Sequence, residues 1–404
     1  MAPNVLAMVM AGGRGERLYP LTRDRCKPAV PFGGKYRIVD FVLSNLVNSG
    51  ICSIYVLTQF KSQSLMEHLD EGWRLSSGQR DQFITPVPAQ MRTGEHWYKG
   101  TADAVFQNFY LIERYHPDIV AVFGADHIYR MDVSQMVAYH LEKGAGCTVA
   151  TVPFRVEEAR GFGIVEVDED WRIARFDEKP HDPTPLPQDP SRALVSMGNY
   201  LFDTEILYDL LNRDALRESR HDFGRDILPS LTEERWLYAY DFSQNRIPGV
   251  SNGEHKLYWR DIGTVDAYWE AHMDLCTPLP SIDLYGEEWP IRTRHSDSPP
   301  AKCTWDGQGR SPSVINSIKC DGCVVGGSTV RGSVLGRNVR VNSADLEDSV
   351  VFDNVTIESG CRIRRTIIDR NNKIPAGTVI GYDLDADRKK HFVTEKGIPV
   401  IAVA

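Results

Sequence analysis

Short apolar runs alternate with amphipathic stretches over roughly the first 275 residues of the chain. Runs rich in β-branched and aliphatic residues predict buried strands, whereas apolar positions spaced three and four apart predict helices. We therefore predict strands at 5–10, 53–58, 119–123 and 148–152, and helices at 40–49, 102–115 and 133–143. Such alternation is typical of an α/β domain with helices on both faces of its sheet.

The predicted helix at 102–115 carries Val105, Phe109 and Ile112 on one face, which assigns that face to the core. Thr101 precedes it and is the expected N-cap, since a hydroxyl oxygen accepts a free amide of the first turn. The proline-rich stretch at 181–190 is predicted to be a loop because proline interrupts both regular structures.

A different pattern begins after residue 312. Aliphatic or small residues recur every six positions, while Gly, Asn and polar residues fill the gaps: Ile318, Val324, Val330; Val351, Ile357, Ile363; Val355, Cys361, Ile367; and Ile368, Ile374, Ile380. A six-residue period predicts a parallel β-helix of the left-handed hexapeptide type, in which each face of a triangular coil contributes one inward residue. We divide the chain into an α/β domain (1–277), a linker region rich in Pro, Ser and Asp (278–312) and a β-helix domain (313–404).

Bulk properties exclude several functional classes. The 404 residues exceed one ordinary core, so more than one domain is expected. A net charge of −9 argues against nucleic acid or an anionic membrane as the main partner. The chain has no long uninterrupted apolar run and no signal-peptide pattern, so we expect a soluble, cytoplasmic protein. Cys320 and Cys323 have the spacing of half a zinc site, but no second pair follows at the usual distance.

Residues 11–34, AGGRGERLYPLTRDRCKPAVPFGG, hold the strongest chemical signal in the chain. Three glycines, Gly12, Gly13 and Gly15, follow the first predicted strand and let the backbone approach a ligand closely. Cationic side chains surround them: Arg14, Arg17, Arg25 and Lys27. A strand, a glycine-rich turn and a group of cations together predict a polyphosphate site. The spacing matches neither the P-loop nor the dinucleotide fingerprint.

Two isolated acids, Asp126 and Asp261, follow apolar or aromatic stretches. Asp126 is expected at the carboxyl end of a strand, the edge of an open α/β sheet at which ligands bind. Two carboxylates from distant segments suit Mg²⁺, which binds few protein oxygens and fills its remaining positions with phosphate and water. Acids in such places also cap helices. The residue types alone leave both possibilities open.

The glycine-rich segment resembles the opening of the sugar-nucleotide pyrophosphorylases, G-G-x-G-x-R-L-x-P-L-T followed by K-P. The longer run KPAVPFGGKYRIVDFVLSN resembles their ADP-glucose branch, the glucose-1-phosphate adenylyltransferases. The resemblance continues in order through TPVPAQ, HWYKGTADAV, FGADHIYRMD, DEKP, SMGNYLF and YWRDIGTVDAYWEAHMDL, and so covers nearly the whole chain.

The resemblance implies a reaction between ATP and α-D-glucose 1-phosphate that gives ADP-glucose and diphosphate, the committed step of bacterial glycogen synthesis. It implies Mg²⁺ at Asp126 and Asp261, with Arg17, Lys27 and Asp126 as the catalytic residues. It implies that the sugar phosphate contacts Glu178 and Lys179. The other positions that match substrate contacts are Gly12, Gly13, Gly15, Gln90, Tyr98, Gly163 and Ser196.

The resemblance also implies a homotetramer regulated by phosphorylated metabolites. Asp24 stands where relatives activated by fructose 1,6-bisphosphate carry a lysine, which argues against that effector. Candidate effector contacts are Arg25, Arg37, Arg340, Arg364 and Arg365, and Gln59 and Trp97 match positions that relay activation in relatives.

Three other functions compete with this interpretation. The first is transfer from UTP or dTTP, against which GGKYRIVDF and FGADHIYRMD argue. The second is acyl transfer on the β-helix, which usually needs a histidine base, yet 314–381 contains none. The third is a nucleotide sensor without activity, which would have no need to keep Arg17, Lys27, Asp126, Lys179 and Asp261 together.

Overall fold

The computed structural model describes residues 3–75, 82–250 and 258–403. The strands of the N-terminal domain are β1 Val5–Met10, β2 Pro31–Phe32, β3 Tyr36–Arg37, β4 Ser53–Thr58, β5 Phe83–Pro88, β6 Ile119–Gly124, β7 His127–Tyr129, β8 Cys147–Arg155, β9 Gly163–Val167, β10 Ile173–Glu178, β11 Arg192–Asp203, β12 Leu237–Asp241 and β13 Trp259–Asp261. The helices are α1 Ile38–Asn48, α2 Gln63–Gly72, α3 Thr101–Phe106, α4 Phe109–Tyr115, α5 Val133–Lys143, α6 Thr204–Ala215, α7 Leu228–Ser230, α8 Val265–Leu275 and α9 Leu384–Arg388.

One mixed sheet organises this domain, with the strand order β10-β9-β11-β6-β1-β4-β5, and β8 joins it between β11 and β12. Strands β6, β1, β4 and β5 are parallel to one another, whereas β11 runs antiparallel to β6. Successive residues of β1 enter two separate cores, because side chains alternate between the faces of a strand. The predicted α/β architecture with helices on both faces is confirmed.

The predicted helix at 102–115 is wrong in detail, because it is two helices, α3 and α4, separated at Gln107 and Asn108. Both polar side chains are buried there and bond to the preceding loop: Asn108 Nδ2 donates to the Tyr98 hydroxyl at 2.8 Å. Thr101 is not the N-cap but the first residue of α3, after Gly100. Tertiary hydrogen bonds, which the apolar periodicity does not report, determine both differences.

The C-terminal domain is the expected left-handed parallel β-helix. Its strands are β14 Lys302–Thr304, β15 Ser313–Ile315, β16 Ile318–Lys319, β17 Val324–Gly326, β18 Thr329–Arg331, β19 Val334–Leu335, β20 Arg340–Asn342, β21 Asp345–Glu347, β22 Val350–Val351, β23 Thr356–Ile357, β24 Arg362–Arg364, β25 Ile367–Ile368, β26 Lys373–Ile374, β27 Val379–Ile380, β28 Phe392–Val393 and β29 Pro399–Ile401. They stack into three sheets. Strand β14 lies inside the segment that we predicted as linker (278–312), yet it already pairs with β17 of the β-helix.

The coils are shorter than three hexapeptides. Val324 pairs with Arg340 and Arg340 with Thr356, 16 residues apart, whereas Thr356 pairs with Lys373, 17 residues apart. Within a coil, the six-residue period still identifies core positions correctly, for example at Val351, Ile357 and Ile363, all of which are buried. It is out of register in the first coil, where Val325 is fully buried and Val324 is not.

Hydroxyl side chains at one corner of the coil stabilise the stack. The backbone amide of Ser333 donates to Ser317 Oγ at 3.1 Å, that of Ser349 to Ser333 Oγ at 3.0 Å, and that of Thr366 to Ser349 Oγ at 3.3 Å. Each hydroxyl satisfies an amide of the next coil, which would otherwise be a buried donor without a partner.

The two domains share a third core. The β-helix residues Val334, Val350 and Ile367 pack in it with Leu18 and Tyr268 of the first domain. Trp269 of α8 donates its indole N–H to the Asp348 carbonyl at 2.8 Å. This contact covers a side face of the β-helix, and Leu18, Leu21 and Val30 bring the glycine-rich segment into the same core. Among the described helices, none combines the length and the apolar character that crossing a bilayer requires.

Candidate functional site

The glycine-rich segment leaves the sheet at the carboxyl end of β1. Gly15 has φ +66°, and a Cβ there would lie 2.8 Å from Lys27 Cβ, so only glycine fits without strain. The Thr22 hydroxyl donates to the Gly15 carbonyl at 3.0 Å and holds the loop against the turn that presents Lys27. The sequence thus places an open backbone and a buried lysine side by side.

Asp126 and Asp261 meet at this lysine. Asp126 follows β6 at its carboxyl end, as predicted, and the antiparallel pair β7 and β13 brings Asp261 opposite His127. Lys27 Nζ lies 3.1 Å from Asp126 Oδ2 and 3.1 Å from Asp261 Oδ1. Neither carboxylate caps a helix: Asp132 caps α5 and Thr264 caps α8.

Lys27 and Asp126 stabilise each other's charged forms. Burial of the Lys27 side chain would lower its pKa, but Asp126 and Asp261 raise it above the usual value. Burial would likewise raise the pKa of Asp126, but His127 and Lys27 hold it well below the usual range. Lys27 is therefore a cation and Asp126 an anion at neutral pH, which is the charge state that binding a metal and phosphates requires.

A single cleft of about 760 Å³ collects most of the predicted residues. They line it from both sides: Gly12, Gly13, Gly15, Arg17, Lys27, Gln59, Tyr98, Asp126, Glu178 and Lys179. The glycine-rich segment with Lys27 forms one wall, and the end of β10 with Glu178 forms the opposite wall, the far wall. Lys179 lies just beyond β10 with φ +54°, and its Nζ is 3.0 Å from Glu178 Oε1.

The remaining predicted site residues lie around the cleft rather than along its wall. Gly163 pairs with Glu178, and a Cβ on it would lie 3.0 Å from Glu178 Oε2. Ser196 is buried on β11 beside Tyr200. Gln90 is exposed beyond the end of β5 and is not brought to the wall.

Sequence reasoning missed several residues of the far wall of the cleft, the wall that contains Glu178. They are Tyr200, Gly100, Thr101 and the segment 222–224. A register shift of β11 between Ser196 and Tyr200, with Gly198 at φ +73°, turns Tyr200 towards the cleft. Asp222 caps the following helical turn, since its Oδ1 accepts the amides of Gly224 and Arg225. The sequence HDFGRD, in which Asp222 is a possible N-cap just ahead of an apolar helix start, was the available signal.

The proposed regulatory residues fall into separate groups. Gln59 bonds to both backbone groups of Tyr98, accepting its amide at 3.0 Å and donating to its carbonyl at 3.5 Å, whereas Trp97 next to it is 54% exposed. Arg25 is buried between the domains, where its Nη2 donates to both oxygens of Asp369 at 2.8 and 3.0 Å.

Arg37 lies near Arg25. Burial, together with Arg25, Arg294 and Arg370, lowers the pKa of Arg37 to about 10, although Asp40 acts in the opposite sense. Arg365 stacks on Trp269 at the same junction. Arg340 and Arg364 lie on two other sheets of the β-helix, and Arg364 stacks on Tyr382. The structure therefore groups Arg25 and Arg37 and separates Arg340 and Arg364 from them.

The donors at the cleft fit a Mg²⁺ ion bound together with a polyphosphate. In the ranges that the structure describes, no group of three or more acidic, histidine or cysteine side chains is arranged to hold a metal. Asp126 lines the cleft and Asp261 does not, but each offers a hard oxygen donor 3.1 Å from Lys27 Nζ. Mg²⁺ commonly uses one or two carboxylates and takes its other ligands from phosphate and water. Cys320 and Cys323 are buried, and burial raises their pKa values to about 12 and about 11, which keeps both as thiols.

Comparison with known proteins agrees with this geometry. Residues 6–277 match the nucleotidyl transferase family, and residues 299–401 match the GlmU-like C-terminal hexapeptide family. The chain is 50% identical to glucose-1-phosphate adenylyltransferase of Anaeromyxobacter sp. over 99% of its own length and 98% of that relative. It is 53% identical to the Thermus thermophilus enzyme of the same name, over 98% of its length and 97% of the relative. The chain therefore belongs to the glucose-1-phosphate adenylyltransferase family of nucleotidyl transferases.

Proposed function

We propose that this enzyme transfers the adenylyl group of ATP to α-D-glucose 1-phosphate, giving ADP-glucose and diphosphate, as the committed step of glycogen synthesis. The observation that carries the proposal is the pair of facing walls of the cleft. Gly12–Gly15, Arg17 and Lys27 suit a triphosphate on one side, and Glu178 with Lys179 suits a sugar phosphate on the other. Relatives of this name cover almost the full chain.

The chemistry needs no activated side chain as nucleophile. The attacking atom is a phosphate oxygen of glucose 1-phosphate, whose second pKa of about 6 leaves it ionised at pH 7. It forms a bond to the α-phosphorus of ATP while the bond to the bridging oxygen breaks and diphosphate departs. Since both reactants are anions, the residues must orient them and neutralise their charge. Arg17 and Lys27 supply positive charge, and the glycine-rich backbone approaches the phosphates closely.

Asp126 and Asp261 would hold the metal ion. When bound, Mg²⁺ supplies further positive charge to the phosphate oxygens. Lys27 donates to both carboxylates and so holds them near each other before the substrates bind. Arg17 Nη2, 3.7 Å from Asp261 Oδ2, adds a second positive charge beside this carboxylate.

Direct assay tests the proposed reaction. The purified enzyme with Mg²⁺, ATP and glucose 1-phosphate should release diphosphate and form ADP-glucose, identified by mass. Parallel reactions with UTP and dTTP should be much slower at equal concentration. Turnover with UTP above that with ATP would replace the proposal by uridylyl transfer, and no turnover with any nucleotide would favour a sensor.

Lys179→Gln should act mainly on the sugar phosphate. Losing one ammonium–phosphate contact costs about 1.5–3 kcal/mol, which corresponds to a rise of roughly 10- to 200-fold in the KM for glucose 1-phosphate. Steady-state kinetics with each substrate varied in turn measures this. Lys179→Arg, which keeps the charge and the same backbone position, is the matched control and should retain most of the affinity. A rise in the KM for ATP alone would instead assign Lys179 to the nucleotide.

Regulation by a phosphorylated metabolite and a homotetrameric assembly are further parts of the proposal. The junction of Arg25, Arg37 and Arg370 supports an anionic effector, since Arg25 Nε and Nη1 are buried there with no hydrogen-bond partner among the described residues. Exposed Ile315 and Trp305 near the first coil support contacts between subunits. We also retain a cytoplasmic location, which the eight free cysteines support.

A panel of phosphorylated metabolites assayed against wild type, Arg37→Ala and Arg340→Ala tests the regulatory site. Loss of activation in Arg37→Ala with a normal response in Arg340→Ala would restrict the effector to the junction. Equal loss in both variants would require a site that extends over the β-helix. Light scattering on each variant tests the tetramer and shows whether assembly has changed.

A further inference from the structure

Asp214, Ser219 and His221 form a closed hydrogen-bond network that the proposed reaction does not use. His221 Nδ1 lies 2.7 Å from Asp214 Oδ2, and Ser219 Oγ lies 2.8 Å from Asp214 Oδ1. The His221 amide donates to Ser219 Oγ at 3.0 Å. Asp214 lies in the last turn of α6, so the network ties the loop after this helix back to the helix itself. Nδ1 donates to Asp214 Oδ2 when it carries the imidazole proton.

The network holds His221 in an uncommon backbone conformation. His221 has φ +53°, in the left-handed region that most residues other than glycine avoid, although His, Asn and Asp enter it more often than the others. This turn points its carbonyl at the start of α3, where it accepts the amides of Ala102 at 2.8 Å and Asp103 at 3.3 Å. Gly100 packs so closely that a Cβ on it would lie 2.2 Å from the His221 carbonyl oxygen. The loop is thus fixed against the beginning of α3.

The same contact sets the far wall of the cleft. The Thr101 hydroxyl donates to Asp222 Oδ2 at 3.1 Å and accepts the Phe223 amide at 3.0 Å. Gly224 follows, so close to Glu178 that a Cβ on it would lie 2.7 Å from Oε2. A change in the direction of the His221 carbonyl would therefore move Asp222 and Gly224 relative to Glu178.

We propose that Asp214, Ser219 and His221 are positioning residues for the sugar-phosphate side of the cleft. The proposal rests on the proposed function, because that function assigns Glu178 and Lys179 to glucose 1-phosphate. None of the three contacts the cleft, and they act through the His221 carbonyl and α3. Among the described residues, no hydrogen bond joins these three side chains to the glycine-rich segment, so binding of the nucleotide should not respond.

Two substitutions at His221 test the proposal. His221→Leu removes the donor to Asp214, and the KM for glucose 1-phosphate should rise about 5- to 50-fold, since small misplacements of a binding wall have effects of this size. The KM for ATP should stay within about twofold. His221→Asn should bring the KM for glucose 1-phosphate back to within about threefold of wild type. Its amide can replace the Nδ1 donor, and Asn tolerates positive φ.

His140 supplies a matched control. It is a buried histidine in the same domain, paired with Asp203 at 3.2 Å and with Thr148 at 2.7 Å, but away from the cleft wall. His140→Leu should lower the melting temperature without changing either KM. If His221→Leu does not fold, Ser219→Ala removes one link of the network with a smaller change and should raise the same KM.

The kinetic results can contradict the positioning role in three ways. An unchanged KM for glucose 1-phosphate in a folded His221→Leu protein would overturn the proposal. So would a parallel rise in both KM values, or a failure of His221→Asn to restore affinity, because either would indicate a purely structural role. Failure of the proposed function is separate: the wild-type enzyme itself would then form no ADP-glucose.

Discussion

Replacing Asp126 by Asn should lower the turnover number by about 10²- to 10⁴-fold while leaving the fold intact. Asn has the same shape but no charge, so the change removes one of the two carboxylates that face Lys27 Nζ at 3.1 Å. The effect is large because the loss concerns charge stabilisation in the transition state rather than ground-state binding. Steady-state kinetics at several Mg²⁺ concentrations measures it, and circular dichroism checks the fold.

The loss should not be recovered by adding metal. With one carboxylate removed, the KM for Mg²⁺ should rise, and the turnover number at saturating Mg²⁺ should remain low. Asp132→Asn is a suitable control because Asn caps α5 nearly as well as Asp, so its kinetics should match wild type. A turnover number near wild type in Asp126→Asn at saturating Mg²⁺ would contradict the assignment of this carboxylate to the metal.

The sequence predicted those features that depend on local pattern. The apolar run at 5–10 forms β1, and the glycines after it form the turn that carries Arg17 and Lys27, because strand, turn and charge occupy one continuous segment. The position of Asp126 at the end of β6 follows from the same logic. The β-helix was also predictable, since its period repeats within each coil.

What the sequence could not predict depends on contacts between distant segments. The interruption at Gln107 and Asn108 exists because Asn108 bonds to Tyr98, a partner in another loop. The far wall at 222–224 reaches the cleft through Thr101 and a register shift in β11. The coil length of 16 or 17 residues likewise aligns corners of successive coils, and at one of them Asn354 Nδ2 donates to Asn371 Oδ1 at 3.2 Å, 17 residues along the chain.

The junction between the domains shows the same dependence on distant contacts. Arg25 was predicted as a regulatory residue from its position, but its carboxylate partner, Asp369, lies 344 residues away. Both side chains are almost fully buried, at 3% and 4% exposed. The two domains contact each other through this pair and through the core around Tyr268. Arg25 belongs to the glycine-rich segment and lies two residues before Lys27, so the ion pair links the stability of the junction to that segment.

Asp369→Asn should therefore destabilise the protein by about 3–5 kcal/mol, the cost typical of leaving one partner of a buried ion pair uncompensated. Chemical denaturation followed by tryptophan fluorescence would show an earlier transition, and Trp269 at the junction is one of the eight tryptophans that contribute to the signal. Asp70→Asn is the matched control: Asp70 pairs with Arg74 on the surface, and its loss should cost at most about 0.5 kcal/mol.

A double substitution distinguishes a specific ion pair from general packing. Arg25→Met with Asp369→Leu removes both charges together and should recover most of the stability that Asp369→Asn loses, because no buried charge is then left unpaired. If the double variant is instead as unstable as the single one, shape and not charge holds the junction. If Asp369→Asn unfolds like wild type, the pair contributes nothing, and the shared core alone joins the domains.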